Sequence, residues 1–376
     1  MSKAITYADT LAQRFWHRVG NAVDTNTESL ALFRIIFGLF MLLFSTPHTR
    51  WLGSVPQAFF NPPYLSFANL FRDFPPAPFF YALDILAVLL LGCITLGIKA
   101  RFSSLAFFVV AVLGNSFAYS FGKIDHSFLS LALVLCLAFS TWGTRYALLP
   151  DKPHSFDNRR LSLSVFAVLV AFGMFTAGFL KALYWVDFNV NTSGFLRWFY
   201  SGYYTLGRTE LLAPFVTYVP TSFFELADYT AVFFELSGFI FLLLGRRAWR
   251  SWLLAAAAFH LINTLVLNIG FNRHFLVYLA FVDFSALRRL VRLNVDNKLL
   301  KRGVFLFSII LVLTHFGYQL SGQRFSILFT SDPDARKLGT LYLSIAIWLT
   351  ALVVLSSNLL LTKTESERSF ASAIGN

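Results

Sequence analysis

The chain has 376 residues, of which 57% are hydrophobic, 18% aromatic and only 13% charged. This composition lies outside the range of soluble globular domains and argues against an ordinary soluble enzyme. The formal net charge of +12 does not indicate nucleic-acid binding, because the basic residues lie in short segments between apolar runs. Both cysteines lie inside such runs, so a disulfide scaffold is excluded.

Apolar runs recur along the whole chain, and about 20 apolar residues are enough to cross a lipid bilayer. The sequence therefore predicts an all-α integral membrane protein with about ten transmembrane helices around a polar pocket that opens to the outer, periplasmic face. The predicted spans, of which the eighth is short, are Leu30–Ser45, Phe79–Ile98, Phe102–Phe121, His126–Trp142, Leu161–Leu180, Ser222–Leu244, Ser251–Gly270, Phe275–Ala286, Val304–Ser321 and Leu341–Leu361.

The basic residues indicate the orientation of these spans. If the amino terminus is inside, the inner segments hold about twice as many Lys and Arg residues as the outer ones, as the positive-inside rule requires. We therefore predict a multi-pass protein of the inner cell membrane with both termini cytoplasmic. The predicted segments are a cytoplasmic amphipathic tail (1–29), a multi-pass domain (30–286), two further transmembrane helices (287–361) and a cytoplasmic tail (362–376).

Lys181 is the most informative polar residue, because it ends the apolar run of the fifth span. A lysine in apolar surroundings loses its proton more easily than in water, and the neutral amine can then act as a general base near pH 7. The alternative is a lysine whose aliphatic stem lies in the bilayer while its ammonium group reaches the outer headgroups. Position alone does not decide between catalysis and anchoring.

Four further residues join Lys181 as candidates for a polar pocket. Asp125 and His126 open the fourth span, and His260 and Asn263 lie one helical turn apart in the seventh. Ionisable groups are costly in hydrocarbon and need a partner, a water-filled cavity or a function. Either histidine could instead form a structural hydrogen bond between helices.

Arg34 in the first span and Glu235 in the sixth are predicted to form a buried structural ion pair, with Asp84 as the runner-up partner of Arg34. A catalytic role for Glu235 in the pocket is the alternative. The histidines are single, with no His-x-x-x-His pair, so no metal site is predicted. No internal repeat is apparent.

Five short motifs, in order, resemble the HTTM (horizontally transferred transmembrane) domain, which is shared with the vitamin K-dependent gamma-glutamyl carboxylase. They keep their order across the region from Leu30 to about Ser285, which is most of segment 30–286. The matching motifs are Leu30-Ala31-Leu32-Phe33-Arg34-Ile35-Ile36-Phe37-Gly38, Asp125-His126-Ser127-Phe128-Leu129, Ala177-Gly178-Phe179-Leu180-Lys181, Phe234-Glu235-Leu236-Ser237 and Phe259-His260-Leu261-Ile262-Asn263.

The resemblance implies that Lys181 is the base that deprotonates a vitamin K-like quinol and that His126 assists beside it. Asp125 stands where the family has an asparagine, so the electrostatics of the site differ. The implied activity is that of a carboxylase-like lyase or oxygenase without the lumenal domain that contributes to substrate-protein binding. A secreted peptide or protein is the implied second substrate.

Three functions compete at this point. The first is a carboxylase-like membrane enzyme that acts on a quinol or another lipid-soluble substrate. The second is a non-catalytic assembly or peptide-maturation partner in the bilayer, which uses the pocket only to bind. The third is a transporter, which typically shows inverted repeats and broken central helices. The sequence shows neither feature.

Overall fold

In the computed structural model the chain is helical over 73% of its length, and no strand occurs among the described residues. The structure describes residues 2–122, 127–153, 155, 158–294, 297–330 and 332–374. The helices are α1 (Ser2–Val23), α2 (Thr27–Phe44), α3 (Ala77–Leu96), α4 (Ala100–Ala118), α5 (Ser127–Ala138), α6 (Arg159–Trp185), α7 (Gly194–Tyr200), α8 (Ala213–Val216), α9 (Thr221–Leu236), α10 (Gly238–Leu244), α11 (Arg246–Leu267), α12 (His274–Leu279), α13 (Phe284–Leu290), α14 (Lys298–Leu320) and α15 (Pro333–Ile374).

Seven of the described helices are long and apolar enough to cross a membrane, and an eighth span is formed if α9 and α10 are counted together. This confirms a multi-helix membrane protein, although not the predicted count of about ten. The difference lies in two places. The predicted fourth span contains the 12-residue helix α5, and the predicted eighth contains the 6-residue helix α12. Neither helix alone reaches the roughly 20 residues that a bilayer requires.

The helices form two compact units that interleave along the sequence. Unit 1 comprises Met1–Asp24, Leu163–Val282 and Thr330–Asn376, and unit 2 comprises Thr25–Ser162 and Asp283–Phe329. In unit 1, α11 packs against α15, and α1 packs against α10 and α11. In unit 2, α3 packs against α2, α4 and α14. The predicted division into segments 30–286 and 287–361 concerns the order along the sequence, and it stays a prediction.

Helix α1 occupies most of the predicted amphipathic tail (1–29). Leu11 and Trp16 are exposed along it, whereas Val19, Ala22 and Val23 at its end are buried. The apolar end of the helix therefore packs into unit 1, and the preceding turns present apolar side chains outward.

Arg34 is fully buried in unit 2, and its guanidinium group donates to backbone carbonyl oxygens and not to a carboxylate. It donates to the carbonyl oxygens of Ile94 and Thr95 at the end of α3, and to those of Trp142, Arg145 and Tyr146, over 2.5 to 3.2 Å. The last carbonyls of a helix have no intrahelical partner, and a cation is favoured beside them. Arg34 therefore stabilises the end of α3.

The predicted ion pair between Arg34 and Glu235 is consequently wrong. The Arg34 donors are used by carbonyl oxygens, and Glu235 is paired with Lys181. The runner-up partner is wrong too. The Asp84 carboxylate accepts from the backbone N–H groups of Thr49 and Arg50, at 2.7 and 3.0 Å. A fork of five donors can satisfy several carbonyl oxygens at once, which a search for opposite charges does not anticipate.

Each unit uses a buried aspartate from a membrane helix to hold the loop that precedes that helix. Asp84 lies seven residues after the start of α3 at Ala77, and Asp228 lies seven residues after the start of α9 at Thr221. Asp228 accepts from the backbone N–H groups of Gly194 and Phe195 at 2.9 and 3.0 Å, at the start of α7. Asp84 accepts in the same way from the N–H groups at the start of the turn Arg50–Ser54. Carboxylates bind well at such N-termini.

This parallel exposes an internal repeat that the sequence analysis missed. The residues Phe79-Phe80, Asp84 and Ala87-Val88 recur 144 positions later as Phe223-Phe224, Asp228 and Ala231-Val232. In the next two helical segments, a shift of 148 positions relates Asn115, Gly122 and His126 to Asn263, Gly270 and His274. The two shifts differ by four residues, and the broken span from Thr221 to Leu244 is four residues longer than α3.

We predict that Arg34→Met lowers the thermal stability of the detergent-solubilised protein sharply, by about 3 kcal/mol or more, because the carbonyl oxygens at the end of α3 lose their donors. Melting followed by size-exclusion chromatography measures this loss. Arg145→Gln is the matched control, since the Arg145 side chain is 57% exposed and its ion pair to Glu28 spans 3.9 Å. A wild-type melting temperature for Arg34→Met would contradict the capping role.

Arg34→Met and Glu235→Gln should also be additive in a double-mutant cycle, to within about 0.5 kcal/mol, because the two side chains share no partner. A coupling larger than that would restore the ion pair that the sequence suggested.

Candidate functional site

Lys181 and Glu235 form an ion pair between α6 and α9 in unit 1, with Lys181 Nζ donating to Glu235 Oε1. The lysine side chain is 26% exposed, whereas the glutamate side chain is only 4% exposed. Among the polar residues predicted from sequence, these two are therefore brought into direct contact. A buried acid beside a partly accessible amine is an arrangement that can hold or move a proton.

The sequence Ala-Gly-x-x-Lys explains how α6 approaches α9 closely enough for this contact. A Cβ atom added at Gly178 would lie 2.7 Å from the Cβ of Glu235 and 3.2 Å from the backbone nitrogen of Leu236. Only a glycine fits at that distance. Lys181 follows Gly178 by three residues and so lies on the same face of α6. The spacing therefore places the amine beside the carboxylate.

Glu235 lies where the sixth predicted span is broken. Helices α9 and α10 meet at an angle of 49°, with Ser237 between them. The Phe234 carbonyl at this bend accepts from Ser237 Oγ at 2.8 Å and from Trp252 Nε1 at 3.2 Å. These donors keep the interrupted backbone satisfied. The expectation that the span is unbroken is therefore wrong, and the break directly follows the acid.

Aromatic rings surround the lysine amine. Lys181 Nζ lies 5.2 Å from the centre of the Trp185 ring and 5.9 Å from that of Phe259. These distances are within the range of cation–π attraction, which favours an ammonium group over the ring face. The same two rings offer flat apolar surfaces to a planar ligand beside the amine.

The second carboxylate oxygen of Glu235, Oε2, has no hydrogen-bond partner among the described residues, although it is buried. Buried polar atoms almost always find a partner, so an open acceptor marks a place for water or a ligand. Glu235 therefore holds Lys181 with one oxygen and keeps the other available.

His260 and Tyr278 form a second buried pair in unit 1, with His260 Nε2 and the Tyr278 hydroxyl 2.7 Å apart. The His260 ring stacks on Trp348 at a centre-to-centre distance of 4.9 Å and lies 5.2 Å from the His274 ring. Phe259, next to His260 in α11, also faces the Lys181 amine. These contacts join the predicted residue His260 to the ion pair.

The other predicted residues are not part of this cluster as described. Asp125 and His126 lie outside the described residues. Asn263 is partly exposed, and no hydrogen bond of its side chain occurs in the described part of the chain. Arg34 caps the end of α3, as shown above. Among the described residues, no group of three or more His, Cys, Asp or Glu side chains is placed to hold a metal ion.

Sequence reasoning missed Tyr278, His274 and Trp348. Tyr278 and His274 fall in the segment with the weakest span signal, and Trp348 reads as one more apolar residue of α15. One signal was available. His274 occupies the same repeat position as His126, 148 residues later, so the repeat alone could have drawn attention to it.

The loop after α6 is fixed to α9, which limits the movement of the last turn of α6. The Phe188 N–H donates to the Tyr229 hydroxyl at 3.1 Å. Asp187, which is fully exposed, accepts from the Asn189 N–H at 3.0 Å and from the Thr192 hydroxyl at 2.8 Å. These hydrogen bonds lower the pKa of Asp187, so the turn keeps its charge and shape at neutral pH.

No family model matches this chain, and comparisons with curated proteins and with solved structures find no match either. The resemblance to the HTTM domain therefore stays a prediction from five motifs. The site described above stands on its own geometry, which does not depend on that resemblance.

We predict that Gly178→Ala destabilises the protein by about 1–3 kcal/mol, because the new methyl group pushes against the α9 backbone. The coupling between Lys181→Met and Glu235→Gln in a double-mutant cycle should shrink in that background, since the helices are pushed apart. Gly303→Ala in α14 is the matched control. A Cβ atom there meets nothing within 4 Å, so this change should be neutral or slightly stabilising. Equal effects at both glycines would reject the close-approach argument.

Proposed function

We propose that this chain is a multi-pass membrane enzyme of the carboxylase-like HTTM type, in which Lys181 and Glu235 together act as the base toward a hydroxyl group of a lipid-soluble substrate. One observation carries the proposal. A partly accessible lysine amine is paired with a buried carboxylate that keeps one oxygen open, and aromatic rings flank the pair. The exposed amine and the open acceptor leave room for a substrate hydroxyl group beside the pair.

The pairing changes which group holds the proton, compared with the isolated lysine that the sequence suggested. A carboxylate neighbour stabilises the ammonium form, which cannot accept a proton. The low dielectric around Glu235 disfavours two separate charges, so the proton can pass from Nζ to the carboxylate and leave a neutral amine beside a neutral acid. Lys181 Nζ then accepts the substrate proton and ends as ammonium. Glu235 thus stores the proton that would otherwise block the base.

A quinol fits the residues at this site. Trp185 and Phe259 provide flat faces for a planar ring, and the Lys181 amine and Glu235 Oε2 provide acceptors for a hydroxyl group. When bound, a reduced quinone would supply an acidic hydroxyl group and reducing equivalents. The roles of His126 and Asp125 as helpers belong to the same proposal, as does a secreted peptide or protein as second substrate.

A transporter is the second candidate, favoured by one observation. The span that carries Glu235 is broken by 49° directly after that residue, and broken helices beside ionisable groups are typical of transport sites. A non-catalytic assembly or peptide-maturation partner would need neither the bend nor the ion pair. Proton-coupled uptake by vesicles that contain the purified protein would favour transport over the enzyme.

We predict that Lys181→Arg preserves folding but abolishes function, because guanidinium keeps the ion pair and does not release its proton near neutral pH. Complementation of a deletion strain is the functional readout. Lys181→Ala is a poor test, since it leaves a buried carboxylate without its cation and costs roughly 3–5 kcal/mol.

The matched control is the double variant Lys181→Met with Glu235→Leu, which replaces the pair with apolar side chains of similar size. It should melt near the wild-type temperature and still lack function. Full rescue by Lys181→Arg would show that only positive charge is required, and binding or anchoring would then replace catalysis.

The orientation in the inner membrane is part of the proposal: both termini cytoplasmic, and the loop between α6 and α9 at the periplasmic face, where the pocket opens. This orientation requires the predicted fourth and eighth spans, which contain α5 and α12, to cross the membrane as well, because α2, α3, α4 and α6 alone would leave the loop on the side of the amino terminus. Cysteines at Ser2, Asn191 and Ser372, introduced after Cys93 and Cys136 are replaced with alanine, should be labelled by an impermeant thiol reagent in intact cells only at position 191. Asn191 is exposed, whereas nearby Ser193 is buried and bonded to Asp228. Labelling at either terminus would reject this orientation.

A further inference from the structure

An open cleft of about 530 Å³ lies in unit 1, where α11 ends and α15 begins. Leu206 and Arg208 line it from the loop after α7, and Arg336 and Lys337 line it from the first turns of α15. Both helices belong to candidate membrane spans, so the cleft lies at the level where spans end. A bilayer places its headgroups at that level.

The cleft carries an excess of positive charge. Lys337 Nζ donates to the Gly207 carbonyl at 2.6 Å and lies 3.4 Å from Glu210 Oε1. Arg336 donates to the Thr330 carbonyl at 2.6 Å. Arg208 is half-buried, and its guanidinium group has no hydrogen-bond acceptor within the described residues. Three cations therefore face the cleft, and Glu210 is the carboxylate that partly offsets them.

Two acids near the start of α15 do not cancel this excess. The Asp332 side chain accepts from the Asp334 N–H at 3.1 Å, and neither residue lines the cleft. Charged groups without a local partner are costly to hold half-buried. The open donors of Arg208 therefore indicate an external anion rather than a missing internal one.

The walls of the cleft are held in place before any ligand arrives. Asn268, in the left-handed conformation after α11, accepts from the Glu210 N–H at 2.8 Å and donates to the Glu210 carbonyl at 3.0 Å. Lys337 ties Gly207 to α15 from the other side. A site that is already ordered loses little entropy when it binds a ligand.

We propose that this cleft binds the phosphate group of an anionic lipid, with Arg208 as the principal ligand and Arg336 and Lys337 as supporting cations. Guanidinium matches phosphate with two parallel hydrogen bonds. Exposed apolar surface lies at and near the cleft: Leu206, which lines it, is 63% exposed, and Tyr204 in the same loop is 73% exposed. Such side chains are typical of the lipid–water boundary, and basic pockets there bind phospholipid headgroups.

The test uses the delipidated full chain in detergent and measures its melting temperature against increasing ligand. The probes are short-chain phosphatidylglycerol, zwitterionic short-chain phosphatidylcholine, and inorganic phosphate. Phosphatidylglycerol should raise the melting temperature more than phosphatidylcholine does. Arg208→Gln should weaken that binding about tenfold or more, because glutamine has no charge and cannot form both parallel hydrogen bonds. It should not change melting without lipid, because the Arg208 side chain forms no hydrogen bond within the described residues.

Arg336→Gln is the second variant, and Arg72→Gln, an exposed cation without a hydrogen bond in the described structure, is the matched control. A response to inorganic phosphate alone would support the phosphate site and assign it to a soluble ligand. No response to phosphatidylglycerol or phosphate, wild-type binding by both Arg208→Gln and Arg336→Gln, or an equal loss in Arg72→Gln would overturn the proposal.

Discussion

The contact between Lys181 and Glu235 is the interaction on which the candidate site in unit 1 depends. A glutamate in the interior of an apolar helix pair is tolerated only if its charge is compensated. The lysine provides that compensation, and Gly178 provides the close approach that lets it reach. The bend after Glu235 then becomes possible, because Ser237 and Trp252 satisfy the carbonyl group that the break would leave open. Glycine, ion pair and bend therefore form one contiguous arrangement of α6, α9 and α10.

Buried charges in the rest of the chain mainly satisfy backbone groups. Arg34 donates to the carbonyl oxygens at the end of α3, and Asp84 and Asp228 accept from the N–H groups that begin the loop helices. Each of these side chains replaces the water that a helix end would otherwise bind, which is scarce inside an apolar assembly. The Lys181–Glu235 pair differs from all three because it leaves one carboxylate oxygen open. That difference is the reason to assign function to this pair and architecture to the others.

Much of the fold could be predicted from sequence, because long apolar runs have few stable alternatives in a bilayer. The break at Ser237 could not, since Ser237-Gly238 lies inside an apolar run that reads as continuous helix. For the site, the sequence identified Lys181, Glu235 and His260 as residues that need a partner, but paired Glu235 with Arg34. Helical periodicity shows which residues share a face of one helix, but it does not show which residues of two helices lie opposite each other. The partners of Arg34 are backbone carbonyl groups. Every residue has one, so a sequence does not show which of them accept from the arginine.

The repeat gives a reason why only one unit carries the ion pair. Asp84 and Asp228 keep the same capping role at equivalent positions, so this role belongs to the shared scaffold. The position equivalent to Glu235, 144 residues earlier, is Leu91, which is fully buried and apolar. Replacing a buried ion pair by apolar side chains is often neutral or stabilising, so the pair is not required to hold such a helix in place. Unit 2 packs α3 without an acid at this position, and unit 1 keeps both Glu235 and a bend beside it. Keeping a charge where leucine suffices is costly, and this cost supports the proposal that the pair moves a proton as well as packing the helices.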